Sequence, residues 1–201
     1  MNKDYEVWEL EVGTLEYYDD QHIYIFNGMI LPSITTILKI RFGNKYNNVA
    51  KEVLDKASEL GTQMHQIIQD YEENNIDVIG NVELHNYKFL KKHYKWQVEQ
   101  CEIPVVLFQN DIPIACGRLD LAVNLENKFA ILDIKRTATF DKDYVALQTN
   151  LYRIAYRQTY GKEAEIVGGI HLRNEKRKFY KLPIDENMAW SLIEEYLKGG
   201  D

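Results

Sequence analysis

Two cysteines and four prolines in 201 residues exclude several classes of protein. Two thiols are too few for a disulfide framework or a four-thiolate iron–sulfur cluster. Cys101 and Cys116 both fall in strand-like runs and read as buried free thiols. No apolar run approaches membrane-spanning length, and Met1 to Asp20 is polar and aromatic rather than an apolar leader. An intracellular soluble protein with no membrane partner is therefore expected. The scarcity of proline, with no low-complexity tract and no internal repeat, leaves no linker. A 45% hydrophobic content suffices for one core, so a single domain over 1–201 is expected. A surplus of positive charge is also missing: 24 lysines and arginines face 31 carboxylates, for a net charge of −7. That excludes a broad basic surface, and any phosphate-rich partner would need a local path.

What the sequence does have is a pair of carboxylates in strand-like surroundings. The segments Ile114 to Val123 and Phe129 to Ile134 are rich in aliphatic and β-branched residues. Asn124 to Lys128 between them is polar and turn-forming, which predicts a β-hairpin. Phe129 to Leu132 is apolar on both faces, as in a central strand, and is then interrupted by Asp133, Lys135 and Arg136. A period of two puts Asp133 and Lys135 on one face. An isolated Asp-x-Lys is most simply a strand-end ion pair. Asp120 on the preceding strand changes that reading, because two neighbouring carboxylates repel each other and a divalent cation relieves the repulsion. Asp120, Asp133 and the backbone carbonyl of Ile134 are hard oxygen donors suited to Mg²⁺. Lys135 beside them would orient or deprotonate a water, with its pKa free to fall in a cationic setting. The chemistry indicated is metal-dependent phosphodiester cleavage.

Gly117-Arg118-Leu119-Asp120, then Asp133-Ile134-Lys135, then Gln148-Thr149-Asn150-Leu151-Tyr152 resembles the PD-(D/E)XK nuclease superfamily, in its RecB-like branch. Leu31 to Leu38 (LPSITTIL) is similar to a segment near the start of mitochondrial and phage exonucleases of that branch. Gly61-Thr62-Gln63-Met64-His65 is similar to its helical Gly-x-x-x-His motif. The ordered set spans residues 31 to 152. It implies an α/β fold with a mixed central sheet flanked by helices, here with an N-terminal β-hairpin extension. It also implies one or two Mg²⁺ or Mn²⁺ ions held by His65, Asp120, Asp133 and the Ile134 carbonyl, with Lys135 positioning water. Gln148 and Tyr152 would contact substrate, and Arg136 and Thr137 directly after the lysine would meet a phosphate. An upstream acidic residue of the branch would correspond to Glu102, with Glu99 competing. The implied activity is a DNA nuclease, preferably an exonuclease acting on ends or single strands. The setting would be the cytoplasm of a bacterium or phage-infected cell, in recombination, replication or repair and alongside a recombination or replication protein. A structure- or sequence-specific endonuclease and a non-catalytic binding or inhibitor module stay open, the latter favoured by the acidic charge. The two cysteines set the chain apart from cluster-bearing members.

Other elements follow from periodicity. Residues 48–73 predict a helix with an apolar stripe at Val49, Val53, Ala57, Leu60, Met64, Ile67 and Tyr71, and His65 at its margin. A second helix over 143–160 is capped by Asp141 or Asp143 and stopped by Gly161. Gln100 to Phe108 reads as a strand. Glu165 to Leu172 and Lys178 to Leu182 form a hairpin around Asn174-Glu175. Within an accessory β segment over 1–32, Asn27-Gly28 is a two-residue turn signal. Ser33 is expected to cap a short helix, opening a catalytic core over 33–182. In the segment 183–201, Glu186 to Lys198 is helical, with Met188, Leu192, Tyr196 and Leu197 inward. Two basic clusters offer a path for nucleic acid: Lys88, Lys91, Lys92 and Lys95, and Arg173, Lys176, Arg177, Lys178 and Lys181. Aromatics interleave with both, although most of those rings are expected in the core.

Overall fold

The computed structural model describes residues 5–19, 21–43 and 47–199. The expected N- and C-terminal segments run past these limits at 1–4 and 200–201, and Asp20 is also outside the described residues. The architecture is mixed α/β with two sheets and five helices. A four-stranded antiparallel meander comes first: β1 (Tyr5–Leu10), β2 (Gly13–Tyr18), β3 (Ile23–Phe26) and β4 (Met29–Leu31). It is twice the single hairpin expected, because the run from Val7 to Leu15 folds back at Glu11-Val12, residues with no strong turn signature. Asn27 and Gly28, both in the left-handed region, turn β3 into β4 as their types dictate.

Three helices follow: α1 (Ile34–Phe42), α2 (Lys51–Asn74) and α3 (Val82–Tyr94). The second sheet has the order β5-β6-β7-β8-β9, with β5 (Gln97–Gln109), β6 (Ile112–Leu125), β7 (Lys128–Lys135), β8 (Ile166–Arg173) and β9 (Lys176–Leu182). All pairs are antiparallel except β7 with β8, which run parallel because α4 (Lys142–Tyr160) crosses between them. Helix α5 (Glu186–Lys198) closes the chain. One face of this sheet packs against α1, α4 and α5. The other packs against α2 and α3 through Met64, Ile68, Leu84, Tyr87 and Leu90. Leu15, Tyr17, Tyr24 and Phe26 lay the meander against Val106 and Cys116. Both cysteines are free and buried, and burial pushes each thiol up to about 12.

Local chemistry explains several boundaries and corrects others. The β6–β7 turn is two residues rather than five: Glu126 and Asn127 take left-handed φ of 57° and 59°, while Asn124 and Lys128 join the ladder. Asp141, not Asp143, caps α4 by accepting the Tyr144 amide at 3.0 Å, and Gly161 ends it at φ 69°. Ser33 sits at the N-cap position of α1 without capping it. Its hydroxyl lies 2.8 Å from Thr35 Oγ1 and 3.0 Å from Thr36 Oγ1 instead. Of the expected α2 stripe only Met64 is buried, with Ile67 and Tyr71 half-buried and Val49 and Val53 exposed, and the second buried position is Ile68, outside that stripe. In α5 the buried face is Ala189, Leu192 and Ile193, whereas Met188 and Leu197 point outward. The C-terminal half of β5 has side chains in place of a neighbouring strand. Thr159 and Gln158 exchange hydrogen bonds with the backbones of Val106 and Phe108, and the Tyr160 hydroxyl donates to Pro104 O.

Candidate metal centre

The site forms where β6 and β7 part. Their ladder extends from Leu125↔Lys128 to Leu121↔Leu132 and stops there. The buried amide of Ile134 then donates to the Asp120 carboxylate, with Oδ2 at 2.5 Å, instead of to a backbone carbonyl. Asp120 and Asp133, one step beyond the last pair, are both buried, at 9% and 2% exposure. On the outer side of β6, Cys101 and Ile103 pair with Leu121 and Leu119, which places Glu102 across from Asp120. Glu102 has a φ of 46° within a strand, a conformation that costs a non-glycine residue about 1–3 kcal/mol and turns its carboxylate toward the site.

Helix α2 brings His65 to the same point. Its Nε2 lies 3.1 Å from Ile134 O, and because a carbonyl only accepts, the ring nitrogen donates. Nδ1 then faces two carboxylates, 3.4 Å from Glu102 Oε1 and 3.6 Å from Asp120 Oδ1. His65, Glu102 and Asp120 each offer one ligand atom, and these atoms lie within 4.8 Å of one another. Burial alone would lower the His65 pKa, but Asp120 and Glu102 outweigh it and raise it to about 9. Burial pushes the Asp120 carboxyl above its ordinary range, and Asp133 adds to the shift while His65 opposes it.

Asp133 and Lys135 form a second unit beside the first. Lys135 Nζ donates to Asp133 Oδ1 at 2.8 Å and lies 2.7 Å from Oδ2, which receives no directed hydrogen bond. Of the ligands expected from the sequence, the structure brings His65 and Asp120 together and engages the others within the chain. Glu102 joins His65 and Asp120, Asp133 is engaged by the lysine, and the Ile134 carbonyl is taken by His65. In the metal-free site burial would lower the Lys135 pKa, yet Asp133 and Asp120 hold it above its ordinary value. Glu99 lies away from the cluster, paired to Lys162 at 2.7 Å.

Helix α4 supplies the remaining wall. Tyr152 is buried, and its ring lies against Gly117, where an added Cβ would meet Cε1 at 2.9 Å. The glycine of Gly-x-x-Asp is there so that this ring can approach. Burial holds the Tyr152 hydroxyl well above its ordinary pKa, with Asp120, Asp133 and Glu102 adding to the effect. Gln148, one turn earlier, is 5% exposed, and its Oε1 has no hydrogen-bond partner. Arg136, expected to meet a phosphate, is instead engaged by Glu83 at 2.8 Å, whose other oxygen accepts the Asn174 amide. The Thr137 hydroxyl donates to Thr139 O within its own loop.

One mouth of the site opens into a cleft of about 1600 Å³. Glu6, Glu9, Glu72, Glu73, Glu99 and Glu102 line it, against Arg118 and His65. Arg118 is itself committed: its Nη1 lies 3.2 Å from Glu6, its Nε 3.6 Å from Glu102, and its guanidinium 4.8 Å from the Tyr17 ring centroid. The role of Arg118 gave no sequence signal beyond its place in the motif, because its partners come from β1, β2 and β5.

No family model matches the chain, and no curated protein does. Among solved structures, the crystal structure of SSO0001 is similar with a TM-score of 0.45 and 17% identity, covering 82% of this chain and 72% of that one. A likeness this slight carries no argument about function. No helix among the described residues is long and apolar enough to cross a membrane.

Proposed function

We propose that the protein is a metal-dependent DNA nuclease with a PD-(D/E)XK-type core, hydrolysing phosphodiesters at the His65–Glu102–Asp120 cluster. The observation that carries this reading is convergence. Ligand atoms from α2, β5 and β6 gather within 4.8 Å, and the ion pair of half-buried Lys135 with buried Asp133 lies alongside. The donor set fits Mg²⁺ or Mn²⁺. The two carboxylates are the hard oxygen donors those ions prefer, and the imidazole adds a nitrogen donor whose second ring nitrogen is fixed by a carbonyl, as metal-bound histidines usually are. Three carboxylates, Glu102, Asp120 and Asp133, meet at the site, and a cation displacing the His65 proton would sit among them. When bound, the ion would polarise the scissile phosphate and offset its developing charge.

The chain's own residues do the rest. Glu102, held in its left-handed conformation, and Asp120, tied to the Ile134 amide, orient their carboxylates before any ligand arrives. Asp133 fixes the Lys135 ammonium, which donates to the attacking water and aligns it. The exonuclease preference follows from the family resemblance alone.

Incubation with end-labelled linear DNA and covalently closed circles, in Mg²⁺, Mn²⁺ or EDTA, tests the reading. Metal-dependent cleavage lost in Asp133→Ala and Lys135→Ala is expected. Absence of cleavage under every condition, or cleavage unchanged in both variants, would overturn it. Cutting of closed circles would move the assignment to an endonuclease.

A further inference from the structure

We infer that the strand of nucleic acid leaves the site on the side away from the acidic cleft, along a track formed by Lys142, Lys176 and Lys178. This rests on the nuclease reading and names the surface that serves it. Phosphates are repelled by the carboxylates that line the cleft beside His65 and Glu102. On the other side, the sheet register extends outward from the catalytic lysine. Lys135 pairs with His171, and His171 with Lys178, so the three side chains share one face. Two strand spacings separate Lys178 from Lys135, roughly 10 Å, within reach of phosphates neighbouring one held at the site.

The loop between β7 and α4 runs over this row and is fixed to it. His171 Nε2 donates to Thr137 O at 2.8 Å, and Lys176 Nζ donates to Ala138 O at 3.2 Å. Phe140 stacks on Tyr180 with centroids 4.3 Å apart and presses on Gly169, where an added Cβ would meet the ring at 2.4 Å. Lys142 and Lys178 both lie over the Tyr180 ring, 5.3 and 4.9 Å from its centroid. The result is a firm ledge carrying exposed ammonium groups.

Several lysines elsewhere already have carboxylate partners. Lys88, Lys91, Lys162 and Lys181 are engaged by Asp77, Glu72, Glu99 and Glu126. Among the described residues no salt bridge engages Lys142, Lys176 or Lys178. Protection of an open sheet edge accounts for lysines on β9, but Lys142 stands on α4. In the α3 cluster Lys88 and Lys91 are paired within the fold, while Lys92 and Lys95 have no salt bridge among the described residues but stand on or at the end of the helix that packs against the opposite face of the sheet.

The test is fluorescence anisotropy of a labelled single-stranded oligonucleotide with Ca²⁺ present, over a series of salt concentrations. Lys142→Gln/Lys178→Gln is compared with the wild type and with Lys88→Gln/Lys181→Gln, whose lysines are paired with Asp77 and Glu126. The track variant should lower the slope of log Kd against log salt by about 1.4, or ~0.7 per lost contact, while the control keeps the wild-type slope. An unchanged slope in the track variant, or a loss confined to the control, overturns the track and leaves the nuclease reading standing on its cleavage assay. Failure of the wild type to bind the oligonucleotide also overturns the track, whereas the nuclease reading falls only with the cleavage assay.

Discussion

Raising the pH should strip protons from the candidate metal centre and so widen the gap in thermal stability between metal-bound and metal-free protein. His65 has its pKa raised to about 9 in the fold, against about 6.5 in an unfolded chain. A raised histidine contributes stability that is fully present below the unfolded value and lost as pH climbs through the folded one. The difference corresponds to about 3 kcal/mol. Asp120, raised above the ordinary carboxylate range, acts in the same direction at lower pH, because the folded state again holds more protons than the unfolded one. The metal-free protein therefore loses stability as pH rises. A divalent ion must displace the His65 proton, so its apparent affinity below pH 9 improves about tenfold per unit, or ~1.4 kcal/mol.

For a chain of this size that amounts to a widening of roughly 3–6 °C in Tm per pH unit. Calorimetry in saturating Mg²⁺ or Mn²⁺ and in EDTA, from about pH 7 to about pH 8.5, covers the window that belongs to His65. His65→Gln should flatten the dependence there. A gap independent of pH, or a pH slope that survives His65→Gln, would refute the placement of the ion against Nδ1.

Other substitutions probe the supports of the site. Gly117→Ala drives a methyl into the Tyr152 ring, and chemical denaturation should show a loss of about 1–3 kcal/mol. Glu83→Ala leaves the Arg136 guanidinium largely buried and unpaired, with the Asn174 amide orphaned; unfolding curves should register about 3 kcal/mol or more. Arg118→Ala releases Glu102 from its guanidinium partner, so Mn²⁺ titrated calorimetrically should bind several-fold more weakly. Unchanged Mn²⁺ affinity would mean that the strand backbone alone orients Glu102.

The sequence revealed the parts of this arrangement that depend on short-range pattern. The hairpin bearing Asp120, Asp133 and Lys135 was legible because its strands are apolar and its charges interrupt them abruptly. Helix α4 was legible because Asp141 and Gly161 mark its ends. Glu102 could be singled out only as one of two glutamates, since the left-handed φ that turns it inward has no residue signature. Arg136 looked available for phosphate because Glu83 lies more than fifty residues earlier. The stripe on α2 overpredicted burial, since periodicity shows which face is apolar but not whether anything packs against it. The same limit moved Met188 and Leu197 to the surface of α5.

The bond from the Ile134 amide to Asp120 affects how an inactive variant should be interpreted. Asp120 serves as a latch where two strands separate, and its carboxylate stands in for a missing backbone carbonyl. Truncating it to alanine would remove a candidate ligand and at the same time strand a buried amide, a defect worth about 1–3 kcal/mol by itself. Asp120→Asn retains an oxygen for that amide while discarding the charge. Comparing the two substitutions separates a broken latch from a lost ligand, a distinction that neither variant provides alone.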